Sequence, residues 1–196
     1  MQLKTSQRKM DSSIMKFEQE IVKDLKEFLR DAERIAVIGI GQEWRQDDAV
    51  GIAAVERLYK ELSGSEELPL SFTDKNFYIG GKVIRLFIGA ETPESLTGKI
   101  RKFKATHVLF IDAAELAGMP GEMELVPLSQ VKGDEISTHN IPLSVLGKFL
   151  ELDMGCKALL LGIQPEKMSI HFERKLTPEL DKAASKAAVA VRDSLV

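Results

Sequence analysis

The chain predicts an α/β fold: a three-layer α/β/α sandwich around a mostly parallel central sheet of about five strands. Three observations carry this expectation. Short continuous apolar runs occur at 34–40, 82–89, 107–112 and 158–163, the pattern of strands covered on both faces. Segments with apolar residues at helical spacing separate them, and strands alternating with helices argue for a parallel sheet between helical layers. A length of 196 residues with 44% hydrophobic content can bury a core without disulfides, so one domain is expected over 1–196.

Residues 1–10 are polar. Ile14, Phe17, Ile21, Leu25 and Phe28 then recur three and four apart, predicting an amphipathic helix over roughly 11–32 within an N-terminal extension, 1–33. The run from Arg34 to Ile40 is the expected first strand. From Ala49 to Leu62, Val50, Ala53, Ala54, Leu58 and Leu62 share a face, and Ser63-Gly64-Ser65 ends the helix, so Asp47-Asp48 sits at its N-terminus. Leu68–Thr73 is expected as a short strand and Lys82–Gly89 as a stronger one. Thr92-Pro93-Glu94 supplies an N-cap, a first-turn proline and a first-turn acid for a helix to about Phe103. His107–Asp112 reads as a buried strand. Pro120-Gly121 turns into Glu122–Leu128, whose alternation and proline suit an edge strand. Leu143, Leu146, Phe149 and Leu150 mark a helix over Pro142–Leu152, and Ala158–Ile163 is the last central strand. Thr177-Pro178-Glu179 opens a C-terminal helix with Leu180, Ala184, Ala187, Val191 and Leu195 inward. No internal repeat, low-complexity tract or linker interrupts this course.

Composition excludes several functions. Lys and Arg number 27 against 30 Asp and Glu, a net charge of −3, so the positive field that nucleic acid requires is absent. The single Cys156 rules out an intramolecular disulfide or a thiolate cluster. No apolar run reaches membrane-spanning length and the N-terminus has no signal-peptide core, so a cytoplasmic protein with no membrane partner is expected. Neither a Gly-x-Ser-x-Gly elbow nor a His-Glu-x-x-His helix is present. Gly39-Ile40-Gly41 lacks the third glycine of a dinucleotide loop, and Asp47-Asp48 would repel a pyrophosphate at that helix start, which disfavours a nucleotide-binding domain and leaves no cofactor-binding residues.

Three polar residues fall where buried patterns break: Asp48, Asp112 and His139. In an open α/β sheet, residues just after parallel strands converge on the crevice at their carboxyl ends. Two carboxylates and an imidazole suit nickel, zinc or a related ion, and three protein ligands leave positions open for substrate or water. Each residue also has a plainer reading. Asp48 reads equally as a first-turn carboxylate favoured by the helix dipole, Asp112 as a strand-end acid capping a loop, and His139 as a hydrogen-bonded loop residue. Asp47 is expected to be the structural member of its pair, accepting backbone N–H groups. His107 and His171 are assigned to surface or core-edge roles, and no motif makes Cys156 a nucleophile.

Taken in order, the motifs resemble a known family. Strand-Gly39-Ile40-Gly41, Asp47-Asp48 with Val50-Gly51, Ile111-Asp112-Ala113 followed by Gly118-Met119-Pro120-Gly121-Glu122, Ser137-Thr138-His139 with Pro142-Leu143 and Leu146, and Leu160-Leu161-Gly162-Ile163-Gln164-Pro165 together are similar to the nickel-iron hydrogenase maturation endopeptidases, most closely the hydrogenase 3 type. The likeness runs from about Arg34 to the C-terminus. It implies an endopeptidase that trims the C-terminal extension of a hydrogenase large-subunit precursor once nickel is inserted. The nickel is supplied by the substrate, with zinc or cadmium as surrogates. The partner implied is that precursor, and the protease is expected as a monomer or weak homo-oligomer. Carried over by position, the family's metal-contacting and catalytic residues are Asp48, Asp112 and His139, acting in an aspartic-type or metal-assisted peptidase. The rival reading is a nickel-sensing or docking protein that binds the large subunit without cutting it. The chain departs from the family pattern at Gln42-Glu43-Trp44, where Gly41 is usually followed by Asn-x-Leu, and at Ala49, where glycine is common; both changes bear on substrate choice.

Overall fold

The computed structural model describes residues 19–72, 75–128, 142–170 and 175–196. A helix, α1, covers 19–28 of the described chain, and its Ile21 and Leu25 are buried as the periodicity requires. Residues 1–18, including Ile14 and Phe17, lie outside the described residues. The further elements are β1 (Arg34–Ile40), α2 (Val50–Ser63), β2 (Asn76–Ile79), β3 (Lys82–Ala90), α3 (Thr97–Phe103), β4 (His107–Ala113), β5 (Met123–Pro127), α4 (Leu143–Met154), β6 (Lys157–Ile163) and α5 (Pro178–Ser194). Single 3-10 turns at Gln46–Ala49 and Pro93–Leu96 lead into α2 and α3.

Six strands form one sheet in the order β2-β3-β1-β4-β6-β5. The four central strands run parallel; β2 and β5 are antiparallel edges. Successive side chains on a strand face opposite ways, and the core divides accordingly. Ile35 and Val37 of β1, Leu109 and Ile111 of β4, and Leu159 and Leu161 of β6 pack with α1, α2 and α5. Ala36 and Ile38, Val108 and Phe110, and Ala158 and Leu160 pack with α3 and α4. Helices on both faces make the expected sandwich. None of the helices in the described residues is long and apolar enough to cross a membrane.

The edge strand on the β3 side differs from expectation. Residues 68–72 form no strand, and Leu68 and Leu70 are exposed; their apolar alternation has no sheet neighbour to satisfy its backbone groups. The pairing goes instead to Asn76–Ile79, joined to β3 by Gly80-Gly81. Both glycines have left-handed φ, 56° and 79°, as a two-residue hairpin turn demands.

Candidate functional site

Asp48 and Asp112 lie at the same end of the sheet, where three glycines let backbone touch backbone. β1 and β4 are neighbours, with Gly39 opposite Ile111. A Cβ on Gly39 would lie 2.5 Å from the Gly51 carbonyl oxygen, and one on Gly51 would lie 2.0 Å from that of Ile111. A Cβ on Gly41, at φ 136°, would lie 1.8 Å from the Asp48 carbonyl oxygen. The start of α2 is thus pressed against the carboxyl ends of β1 and β4, with Asp48 just before it and Asp112 next after Ile111. The Gly-x-Gly sequence here serves close packing.

Both carboxylates are buried, each 2% exposed. Asp48 Oδ2 accepts the Gln42 N–H at 2.8 Å, so the acid shapes the loop that follows β1. Asp112 alternates with Val108 and Phe110 along β4 and stands opposite Gly162 of β6, a residue with no side chain at that level. His139 lies outside the described residues, 129–141 among them. Among the described residues, no group of three or more His, Cys, Asp or Glu side chains gathers in a way that could hold a metal ion.

Asp47 has the structural role expected of it. It is wholly buried, and its carboxylate accepts the N–H groups of Glu166 at 3.1 Å, Lys167 at 2.9 Å and Thr177 at 2.8 Å, and the Thr177 hydroxyl at 3.0 Å. One side chain therefore ties the loop after β6 and the start of α5 to the turn that carries Asp48.

Gln164, whose side chain the sequence reading passed over, organises the loop after Asp112. Its Oε1 accepts Leu116 N–H at 2.7 Å and Gly118 N–H at 3.4 Å, while its Nε2 donates to Glu115 Oε2 and the Pro165 carbonyl. The available signal was an amide residue at the end of a buried strand, where an unpaired polar group would be costly.

The other candidates fall away from this end. His107 is a core-edge residue at the start of β4: Phe28 contacts its ring edge-on, and its Nε2 lies 3.4 Å from Asp31 Oδ1. Burial lowers its pKa below the ordinary histidine value. Cys156 is buried, donates to the Leu150 carbonyl at 3.4 Å, and has a thiol pKa pushed up to about 11 by burial, the environment of an inert thiol. His171 lies outside the described residues. A groove of about 470 Å³ runs between α1 and α5, past Val22 and Val189, and includes no candidate site residue.

Comparison with known proteins places this geometry in context. The family described as HycI, hydrogenase maturation protease, matches residues 80–194. A Methanocaldococcus jannaschii protein assigned as a hydrogenase maturation protease is 30% identical over 138 residues, 70% of this chain and 76% of that one. The hydrogenase 3 maturation protease of Escherichia coli K12 is 32% identical over 85 residues, which span 43% of this chain and 54% of the relative. Among solved structures, the NiFe hydrogenase maturation protease HycI of Thermococcus kodakarensis superposes with a TM-score of 0.69 at 29% identity, covering 87% of this chain and 97% of that one. The solution structure of the Escherichia coli endopeptidase HycI shares the fold, with a TM-score of 0.56 at 24% identity over 77% of this chain and 84% of that one.

Proposed function

Because the chain belongs to the HycI hydrogenase maturation protease family, we propose that it is an endopeptidase that removes the C-terminal extension of a nickel-iron hydrogenase large-subunit precursor after nickel insertion. The observation that carries this reading is the pair of buried acids at one end of the sheet, Asp112 at the carboxyl end of β4 and Asp48 in the turn that leads into α2. This end of the sheet is where open α/β folds bind their ligands.

In this reading nickel is part of the substrate. Asp48, Asp112 and His139 supply hard and borderline donors and form an incomplete set, while the precursor holds the metal with its own ligands. Cleavage is thereby coupled to completed insertion, since only a loaded precursor brings the ion. Zinc or cadmium would substitute in the same donor set. Asp47 and Gln164 hold the surrounding loops, and the protein works in the cytoplasm with its substrate.

The test is incubation of the chain with nickel-loaded and nickel-free precursor, followed by mass measurement of the large subunit. Shortening of the loaded form alone is expected. Tight association without shortening would replace the protease by a nickel-sensing docking protein. Equal cutting of the nickel-free form would remove nickel from recognition.

A further inference from the structure

The geometry points to Trp44 as a specificity-determining residue, the platform on which a large apolar side chain of the precursor settles beside the bond to be cut. The inference rests on the proteolytic reading above and names the chemistry of the polypeptide it selects. Trp44 is 53% exposed, in the turn between β1 and Asp48. Single exposed apolar side chains are ordinary and would carry nothing alone; the mounting of this one is what matters.

The turn is fixed from both ends. Asp48 holds the Gln42 N–H, and Arg45 N–H donates to the Gln42 carbonyl at 3.0 Å. Arg45 Nε donates to the Met168 carbonyl, and the Ser169 hydroxyl donates to Gln46 Oε1 at 2.6 Å. The loop after β4 is fastened to the same 164–169 segment through Gln164. That loop carries Met119, and Ile170 follows the segment; both are exposed. Loops after β1, β4 and β6 thus present an indole, a thioether and a branched aliphatic side chain at the sheet end that holds Asp48 and Asp112. A turn whose backbone is already held by hydrogen bonds loses little freedom when the aromatic side chain it carries is engaged, and a methionine at the same end of the sheet adapts to different apolar shapes. The acid that would face the reacting centre also positions the turn that presents Trp44, which couples selection of the polypeptide to the site itself.

Trp44 is the single tryptophan of the chain, so residue 44 can be observed alone. With 5-hydroxytryptophan incorporated there and excited outside the absorption of the precursor's own tryptophans, adding nickel-loaded precursor should protect the label from acrylamide quenching. Trp44→Ala should raise KM for that precursor about thirtyfold, the size of a binding hot spot, with kcat changed less than about twofold. Trp44→Phe should recover most of the loss. Unchanged quenching with precursor bound, or a parental KM in Trp44→Ala, would overturn the inference and leave proteolysis standing. Protection of residue 44, with binding lost in Trp44→Ala but no cutting by the parent, would keep the platform and remove the protease reading. A parent that neither cuts nor protects would overturn both.

Discussion

Asp47 binds Thr177 twice, its Oδ1 accepting the backbone N–H at 2.8 Å and its Oδ2 the hydroxyl at 3.0 Å, across 130 residues of sequence. Thr177 is the N-cap of α5. Thr177 makes no side-chain capping bond to the helix; a buried aspartate on another element accepts from the cap residue instead and also holds Glu166 and Lys167.

Removing this acceptor leaves several inward donors without a partner, so Asp47→Ala should cost about 3 kcal/mol of folding stability. Thr177→Val removes only the hydroxyl and should cost about 1 kcal/mol. Urea denaturation of the two variants measures the difference, and equal stabilities would show that the carboxylate does not act as the common acceptor.

Gly41 cannot carry a side chain. Its φ of 136° is in glycine territory and its Cβ would overlap the Asp48 carbonyl, so Gly41→Ala should destabilise by about 3 kcal/mol or more. Gly64→Ala serves as the control: that position also has positive φ, 66°, but nothing lies within 4 Å of its Cβ, and a cost of about 1 kcal/mol is expected. Chemical denaturation separates strain alone from strain with collision.

The sandwich was legible because β1, β4 and β6 are apolar on both faces, a pattern that only a doubly covered strand requires. The structural role of Asp47 was legible in part, since an acid paired with another at a helix start is a natural acceptor of backbone N–H groups. The hairpin strand Asn76–Ile79 was not, being short and half polar, while the more apolar 68–72 drew the assignment; neighbouring backbone rather than hydropathy decided that edge. Nor could a sequence disclose that Gly39, Gly41 and Gly51 are needed for one contact, because glycine reads alike whether it serves a turn, a phosphate or the approach of a strand to a helix. Gln164 escaped for a related reason: its partners, Leu116 and Gly118, lie far away in sequence.

His107 should shape the acid stability of the protein. Burial favours its neutral ring, so the folded chain takes up this proton at a lower pH than the unfolded chain, whose value is near 6.5. Between those two values the unfolded state holds more protons, and stability therefore falls as pH drops below about 6.5. Asp31, held below its ordinary value chiefly by its hydrogen bond to Lys157, adds a loss only under more acidic conditions, below about 3.8. His107→Gln should flatten the dependence of melting temperature on pH in the first window and change the second much less, since Asp31 is held down chiefly by Lys157. A parental slope in the variant would assign the effect elsewhere.

Asp48 and Asp112 are best tested by Asp→Asn substitution, because both acids are buried. At 2% exposure each, truncation to alanine would open a cavity and confuse folding with function. Asparagine keeps the shape and, at position 48, an oxygen able to accept the Gln42 N–H, while removing the charge that a metal ion would seek. Asp48→Asn and Asp112→Asn should each lower processing of nickel-loaded precursor by about a hundredfold or more, with melting temperatures near that of the parent. Because both residues are proposed to face the same ion, their losses should not add: the double variant should be scarcely worse than the poorer single one. Full processing by either stable single variant would return that carboxylate to a purely structural role, and a double variant showing the product of two independent losses would place the acids in separate steps.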